Sequence, residues 1–190
     1  MPTLFEAYTS GESSQSGHLA EVWGAQTFTP LVAHRITEVR LLLARAGLPG
    51  LCTASIRATD PTDPDRPPTG PDLATGTFDG DALTEGLAWQ SVPLSTTTLL
   101  VPNTRYAIIW RAPNAVPSQS ETYWGHRLNS GEYPRGDGFF SGDAGVTWIR
   151  WGSDVWPTDQ LFEEWGVANS MLHVPIGGKA SAGVVAARNS

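Results

Sequence analysis

The 190-residue chain has one cysteine, one lysine and no long apolar run, and each scarcity removes a class of protein. A lone Cys52 rules out an intrachain disulfide, so the fold rests on its core and not on staples. In LCTASIRA that cysteine alternates with Ala54, Ile56 and Ala58, which reads as a small buried hydrophobe, and no neighbour in sequence would activate its thiol. Eleven of the twelve basic residues are arginines spread singly along the chain, against nineteen acids and a net charge of −7. No basic stripe exists to neutralise phosphates, so nucleic acid is not an expected partner. No window approaches the ~18 apolar residues of a membrane helix, and MPTLFEAYTSGESSQSG has neither a basic start nor an apolar segment of the export type. Neither a membrane nor the usual export route is expected.

Abundant glycine (20) and proline (15) point instead to a turn-rich β protein. LAEVWGAQTFTP and HRITEVRLLLARAG alternate with period two, Val39, Leu41 and Leu43 sharing one face. TRYAIIWRAP is apolar on both faces, as expected of a central or covered strand. DPTDPDRPPTGPD, with five prolines and four aspartates, is a loop. No segment carries a 3.6-residue apolar stripe, and nine or ten short strands are expected in an all-β, jelly-roll-like antiparallel β-sandwich over residues 19–166. Residues 1–18, polar after Leu4 and Phe5, read as an N-terminal arm. Residues 167–190, small, apolar and nearly uncharged, read as a C-terminal extension with one strand-like run, MLHVPI, suited to packing on its own domain or to assembly with a neighbouring chain.

SGDAGVTW, residues 141–148, matches the Ser-x-Asp-x-Gly-x-Thr-Trp pattern of the Asp box found in sialidases. Its residues suit a structural turn: Ser141 and Asp143 bond nearby backbone N–H groups, Gly145 takes positive φ, and Trp148 anchors the hairpin. A sialidase would need several such boxes on a propeller, an arginine cluster and a Tyr-Glu nucleophile pair, none of which this sequence offers.

Other catalytic patterns are equally scarce. His18, His34, His126 and His173 are scattered and read as surface or turn residues, so no metal site is expected. Asp60, Asp63 and Asp65 have short spacing suited to Ca²⁺, but the prolines between them favour a stiff solvated loop. Glu163 and Glu164 point to opposite faces of one strand and cannot flank one substrate. No cofactor motif and no nucleophile elbow is present, and the chain is expected not to be an enzyme. Among eight tryptophans, Trp23, Trp89, Trp110, Trp148 and Trp165 lie in strand-like runs and read as core or sheet-face residues. Trp124, Trp151 and Trp156, with Tyr133, lie near turns and are the candidates for stacking on sugar rings, or for covering the sandwich ends or a subunit contact.

Taken in order, WGAQTFTP, ITEVRLLLARAGLPG, ASIRATD, LATGTF, TRYAIIWRAP, YWGHR, SGDAGVTW and LFEEWG resemble the choice-of-anchor R type β-sandwich module over roughly residues 19–166. Modules of that type recur in secreted bacterial proteins and in phage tail, fibre and surface proteins as spacers, adhesion units or decorations. The resemblance, with the absence of an export signal, implies a non-enzymatic virion structural protein, a decoration or appendage of capsid or tail assembled in the host cytoplasm. Its expected partners are other virion proteins and further copies of itself. The alternative is an extracellular carbohydrate-binding or adhesion module for host surface glycans.

Overall fold

The computed structural model describes residues 1–128, 133–152 and 158–169. They form thirteen strands: β1 Thr3–Tyr8, β2 Ser14–His18, β3 Trp23–Phe28, β4 His34–Ala46, β5 Leu51–Thr59, β6 Pro68–Asp79, β7 Ala88–Leu100, β8 Tyr106–Arg111, β9 Glu121–Leu128, β10 Gly138–Ser141, β11 Ile149–Arg150, β12 Thr158–Gln160 and β13 Phe162–Ala168. One 3₁₀ turn, Gly80–Ala82, is the sole helical segment described. Two antiparallel sheets pack face to face, so the expected all-β sandwich is what the chain adopts. It is not closed into a barrel.

The first sheet is centred on β4, whose one edge pairs with β7 and whose other edge pairs with β13 and then β9. β1 lies outside β13, and β9 carries β2 on one side and β12 on the other. The second sheet runs β11-β10-β3-β8-β5-β6. Between them lie Leu41 and Leu43 from β4, Phe162 from β13, and Phe28, Ile108 and Trp110 from the second sheet, all buried. Each such side chain contributes about 1.5–3 kcal/mol by leaving water.

β4 shows how the sequence is fitted to this core. Ile36 and Val39, three residues apart, would face opposite ways in a regular strand. The register shifts between Ile36 and Glu38, and this bulge turns Ile36, Val39, Leu41 and Leu43 all inward. A second bulge between Ile56 and Ala58 ends the alternation in β5: Cys52, Ala54 and Ile56 are buried as expected, but Ala58 is only half-buried. β8, the strand apolar on both faces, lies between β3 and β5 and buries Tyr106 to Trp110 without a break.

The N-terminal stretch departs from the reading of an arm. Residues 3–8 pair along β13 and residues 14–18 along β9, so the sandwich includes them. At the other end, Val167 and Ala168 complete β13 opposite Arg35 and His34, so the sandwich extends past residue 166. MLHVPI and the rest of 170–190 lie outside the described residues.

Candidate functional site

The Asp-box hairpin is built from short-range bonds. The Ser141 hydroxyl donates to Asp143 Oδ1 at 2.7 Å, and Ser141 Oγ accepts from the Gly145 N–H at 2.8 Å. Asp143 Oδ1 accepts the Thr147 N–H at 2.8 Å and Oδ2 the Thr147 hydroxyl at 2.6 Å. The Thr147 hydroxyl above all, then its N–H and Ser141, hold the Asp143 carboxyl down at about 2. Gly145 takes φ +82°, and a Cβ there would meet Trp23 at 2.5 Å. Trp148 and Trp23 pack on a small second core, Ala25, Ala107, Ile109 and Phe139, on the outer face of the second sheet. The hairpin thus covers the sheet from outside.

The aromatic candidates separate sharply. Trp124 is fully buried, its indole N–H donating to the Leu161 carbonyl at 2.8 Å, and Tyr133 is 2 % exposed with its hydroxyl on Glu6 at 2.7 Å. Neither face is available to a sugar, which corrects the expectation for both: inward-facing positions of the sandwich take them into the core. Trp156 lies outside the described residues. Trp151 is half-buried and packs on His126 (centroids 5.1 Å) and Phe140 (5.6 Å).

Trp151 and Phe140 wall a cleft of about 350 Å³ at the flank of the sandwich, between β2 and β10, completed by Ser16, Gly17, His18 and Val22. Ser16 and His18, two apart on one face of β2, are almost fully buried, with Ser16 Oγ 3.0 Å from His18 Nε2. Gln160 Nε2 donates to the same oxygen at 3.2 Å. A serine–histidine contact in a cleft raises the question of nucleophilic catalysis, and its surroundings weigh against it. His18 Nδ1 has no partner among the described residues, where a catalytic histidine would meet an orienting carboxylate. Burial, with a smaller push from His126, drives the His18 pKa down to about 3, leaving a weak base. Burial likewise brings His126 to about 4, against a raising bond with the Trp124 backbone.

The other ionisable groups close on one another. His34 Nε2 lies 2.9 Å from both oxygens of Glu164, Nδ1–H donates to the Val32 carbonyl at 2.9 Å, and Phe5 stacks on the ring at 3.7 Å. Burial alone would lower the His34 pKa, but the hydrogen bond and charge of Glu164 and the Val32 carbonyl together raise it. Burial raises Glu164 in turn, against the lowering hydrogen bond and charge of His34. Glu6, on β1, is buried against Tyr133 and Arg135. Asp137 holds Arg105 and Arg150, and Asp72 holds Arg57 and Arg111. Asp60 and Asp63 accept N–H groups of their own loop, and no group of three metal-ligating side chains occurs among the described residues. The histidines read as surface or turn residues, His18, His34 and His126, are therefore buried. Ser16 was not singled out, and His18 was read as a surface or turn residue, because SQSGH alternates small polar groups, a pattern indistinguishable from a solvated arm until its partners on β9 and β12 are known.

No protein-family model matches the chain, and no curated protein does. Among solved structures, an aminopeptidase from the marine sediment archaeon Thaumarchaeota archaeon is similar at a TM-score of 0.34 and 12% identity. The similarity covers 75% of this chain and 26% of that one.

Proposed function

We propose that this chain is a non-catalytic β-sandwich structural module of a virion, a decoration or appendage, with residues 170–190 as its joining element. The observation that carries this reading is how the charged side chains are used. Glu6, Asp72, Asp137, Asp143 and Glu164 each close an internal pair or turn that stiffens the sandwich. A rigid body of this kind suits a spacer or decoration, as the resemblance to choice-of-anchor modules implies, and its nearly uncharged C-terminal segment suits burial against another chain. The test is light scattering on full-length protein beside a chain ending at Asn169, which keeps β13 whole. A defined oligomer lost on truncation supports the reading, and a monomeric full-length protein refutes joining through this segment.

Trp151 favours a second reading, a carbohydrate-binding module for host surface glycans, because its ring borders an open cleft. Titration with sugars should then quench tryptophan fluorescence, and Trp151→Ala should abolish the response. No response at millimolar sugar rejects this reading.

A further inference from the structure

We infer that His34 and Glu164 form a proton-dependent latch for the N-terminal strand: β1 stays docked on β13 while the pair holds a proton and is released when rising pH removes it.

The latch follows from what surrounds the His34 ring. Nε2 lies 2.9 Å from both oxygens of Glu164 and Nδ1 lies 2.9 Å from the Val32 carbonyl, so both ring nitrogens face acceptors. A neutral imidazole has one N–H and one lone pair, and only the charged ring donates on both sides. Whichever N–H a neutral ring kept, its other nitrogen would set a lone pair against an oxygen. A proton on Glu164 relieves the conflict equally well, so the requirement belongs to the pair. Both side chains are 0% exposed, and water is not at hand to make up a missing bond. Burial of the ring opposes its charge, but Glu164, the Val32 carbonyl and Glu6 together raise its pKa, and burial raises that of Glu164.

Two residues of β1 feel that proton. Phe5 is the unpaired residue of the bulge between Leu4 and Glu6, and it stacks on the His34 ring with centroids 3.7 Å apart and planes 3° from parallel. The face of a phenyl ring attracts a charged ring more than a neutral one. Glu6 is the partner of Glu164 across the β1–β13 ladder and is buried beside it, bonded to Tyr133 and Arg135. With His34 charged, that ring and Arg135 balance the two carboxylates. Once the proton leaves, two buried carboxylates stand opposite each other with Arg135 as the cation in contact. The remaining neighbours supply no charge: β7 meets His34 with Leu100, β13 meets it with Ala168, and β4 meets Glu164 with Val39.

β1 is the element that yields. Among the described residues it is paired on one side only, whereas β4 and β13 are paired on both. The stability that docks it is complete below the ordinary 6.5 of histidine and is lost as pH rises through the raised folded value. Its release uncovers the β13 edge from Phe162 to Gly166, so rising pH exchanges a covered edge for an open one.

A nitroxide on Thr3→Cys in the full-length chain reads the docking, because Thr3 is exposed and the native Cys52 is buried. Its electron paramagnetic resonance spectrum should be that of an immobilised label at pH 6 and shift to that of a mobile one at the pH where the ¹⁵N ring signals of His34 titrate, while tryptophan fluorescence shows the sandwich still folded. Glu164→Gln should keep the label immobilised throughout, since its amide donates to the bare Nε2 while Nδ1–H stays on Val32. That variant retains the N-terminal amine, so a response from the amine would persist in it. Phe5→Leu, outside the buried pair, should move the transition to lower pH. Ring signals that do not titrate by pH 10, a label still immobilised after they have, or release only as the whole sandwich unfolds overturns the latch. A transition unchanged in Glu164→Gln or unmoved in Phe5→Leu overturns its coupling to β1.

Discussion

Replacing Glu6 by alanine tests whether the N-terminal strand is part of the sandwich in energy as well as in geometry. The Glu6 carboxylate is buried and accepts from the Tyr133 hydroxyl at 2.7 Å and from Arg135. Without it, the Tyr133 hydroxyl is left without that partner in a residue 2 % exposed, a loss of about 1–3 kcal/mol. Arg135 costs less, because its side chain is 34% exposed and water can replace the carboxylate, so roughly 0–1 kcal/mol is assigned to that pair. The expected destabilisation is about 1–4 kcal/mol, a large share of the ~5–15 kcal/mol that holds a domain folded. Urea unfolding followed by tryptophan fluorescence measures it as a lower midpoint at unchanged slope.

A double-mutant cycle isolates the cause. Tyr133→Phe removes the hydroxyl that Glu6→Ala orphans, so the double variant should be about 1–2 kcal/mol more stable than the two single losses predict. Hydrogen exchange should accelerate at Thr3–Tyr8 while the β4 amides stay protected, since among the described residues β1 is a terminal strand paired only with β13. A Glu6→Ala cost below about 0.5 kcal/mol, or additive effects in the cycle, would return residues 1–18 to the status of a solvated arm.

Three further outcomes follow from named geometry. Gly145→Ala forces a Cβ onto Trp23 at a φ of +82° and should cost about 1–3 kcal/mol in the same urea assay, with unchanged stability refuting the packing described for the hairpin. His34 binds its proton more tightly folded than unfolded, so its contribution is complete below its ordinary 6.5 and is lost as pH rises through the raised folded value. Melting temperatures should accordingly fall from pH 6 towards pH 9 and fall less in Glu164→Gln, and a parallel pair of curves would refute the coupling. Cys52 is buried, and its thiol is pushed up to about 12 by burial first and by Asp81 and Asp79 next. A thiol reagent at pH 8 should leave it unmodified in the native protein and label it fully in denaturant, and rapid native labelling would contradict its place in the core.

What the sequence disclosed and what it concealed divide along the distance over which each feature is satisfied. The Asp box was legible because Ser141, Asp143, Gly145 and Thr147 bond within four residues of one another. β8 was legible because a strand apolar on both faces must be covered on both, whichever strands cover it. Bulges at Thr37 and Arg57 were not legible, since they exist only relative to the strands paired across them, and so Ala58 was placed wrongly. Trp124 was read as lying near a turn with its ring open to a sugar or a contact, yet its neighbours Leu43 and Leu161 are far away in sequence and bring it inside.

The N-terminal residues carry this argument furthest. Phe5 is fixed by His34, Glu6 by Tyr133 and Arg135, and Ser16 by Trp124 and Gln160, with most of these partners more than a hundred residues away. A short polar strand with such partners has the composition of a free arm, because hydrogen bonds made to distant strands and hydrogen bonds made to water demand the same side chains. Composition therefore cannot separate a docked polar strand from an undocked one, and only the partner's position can. That logic applies equally to residues 170–190, whose apolar composition asks for burial without naming the surface.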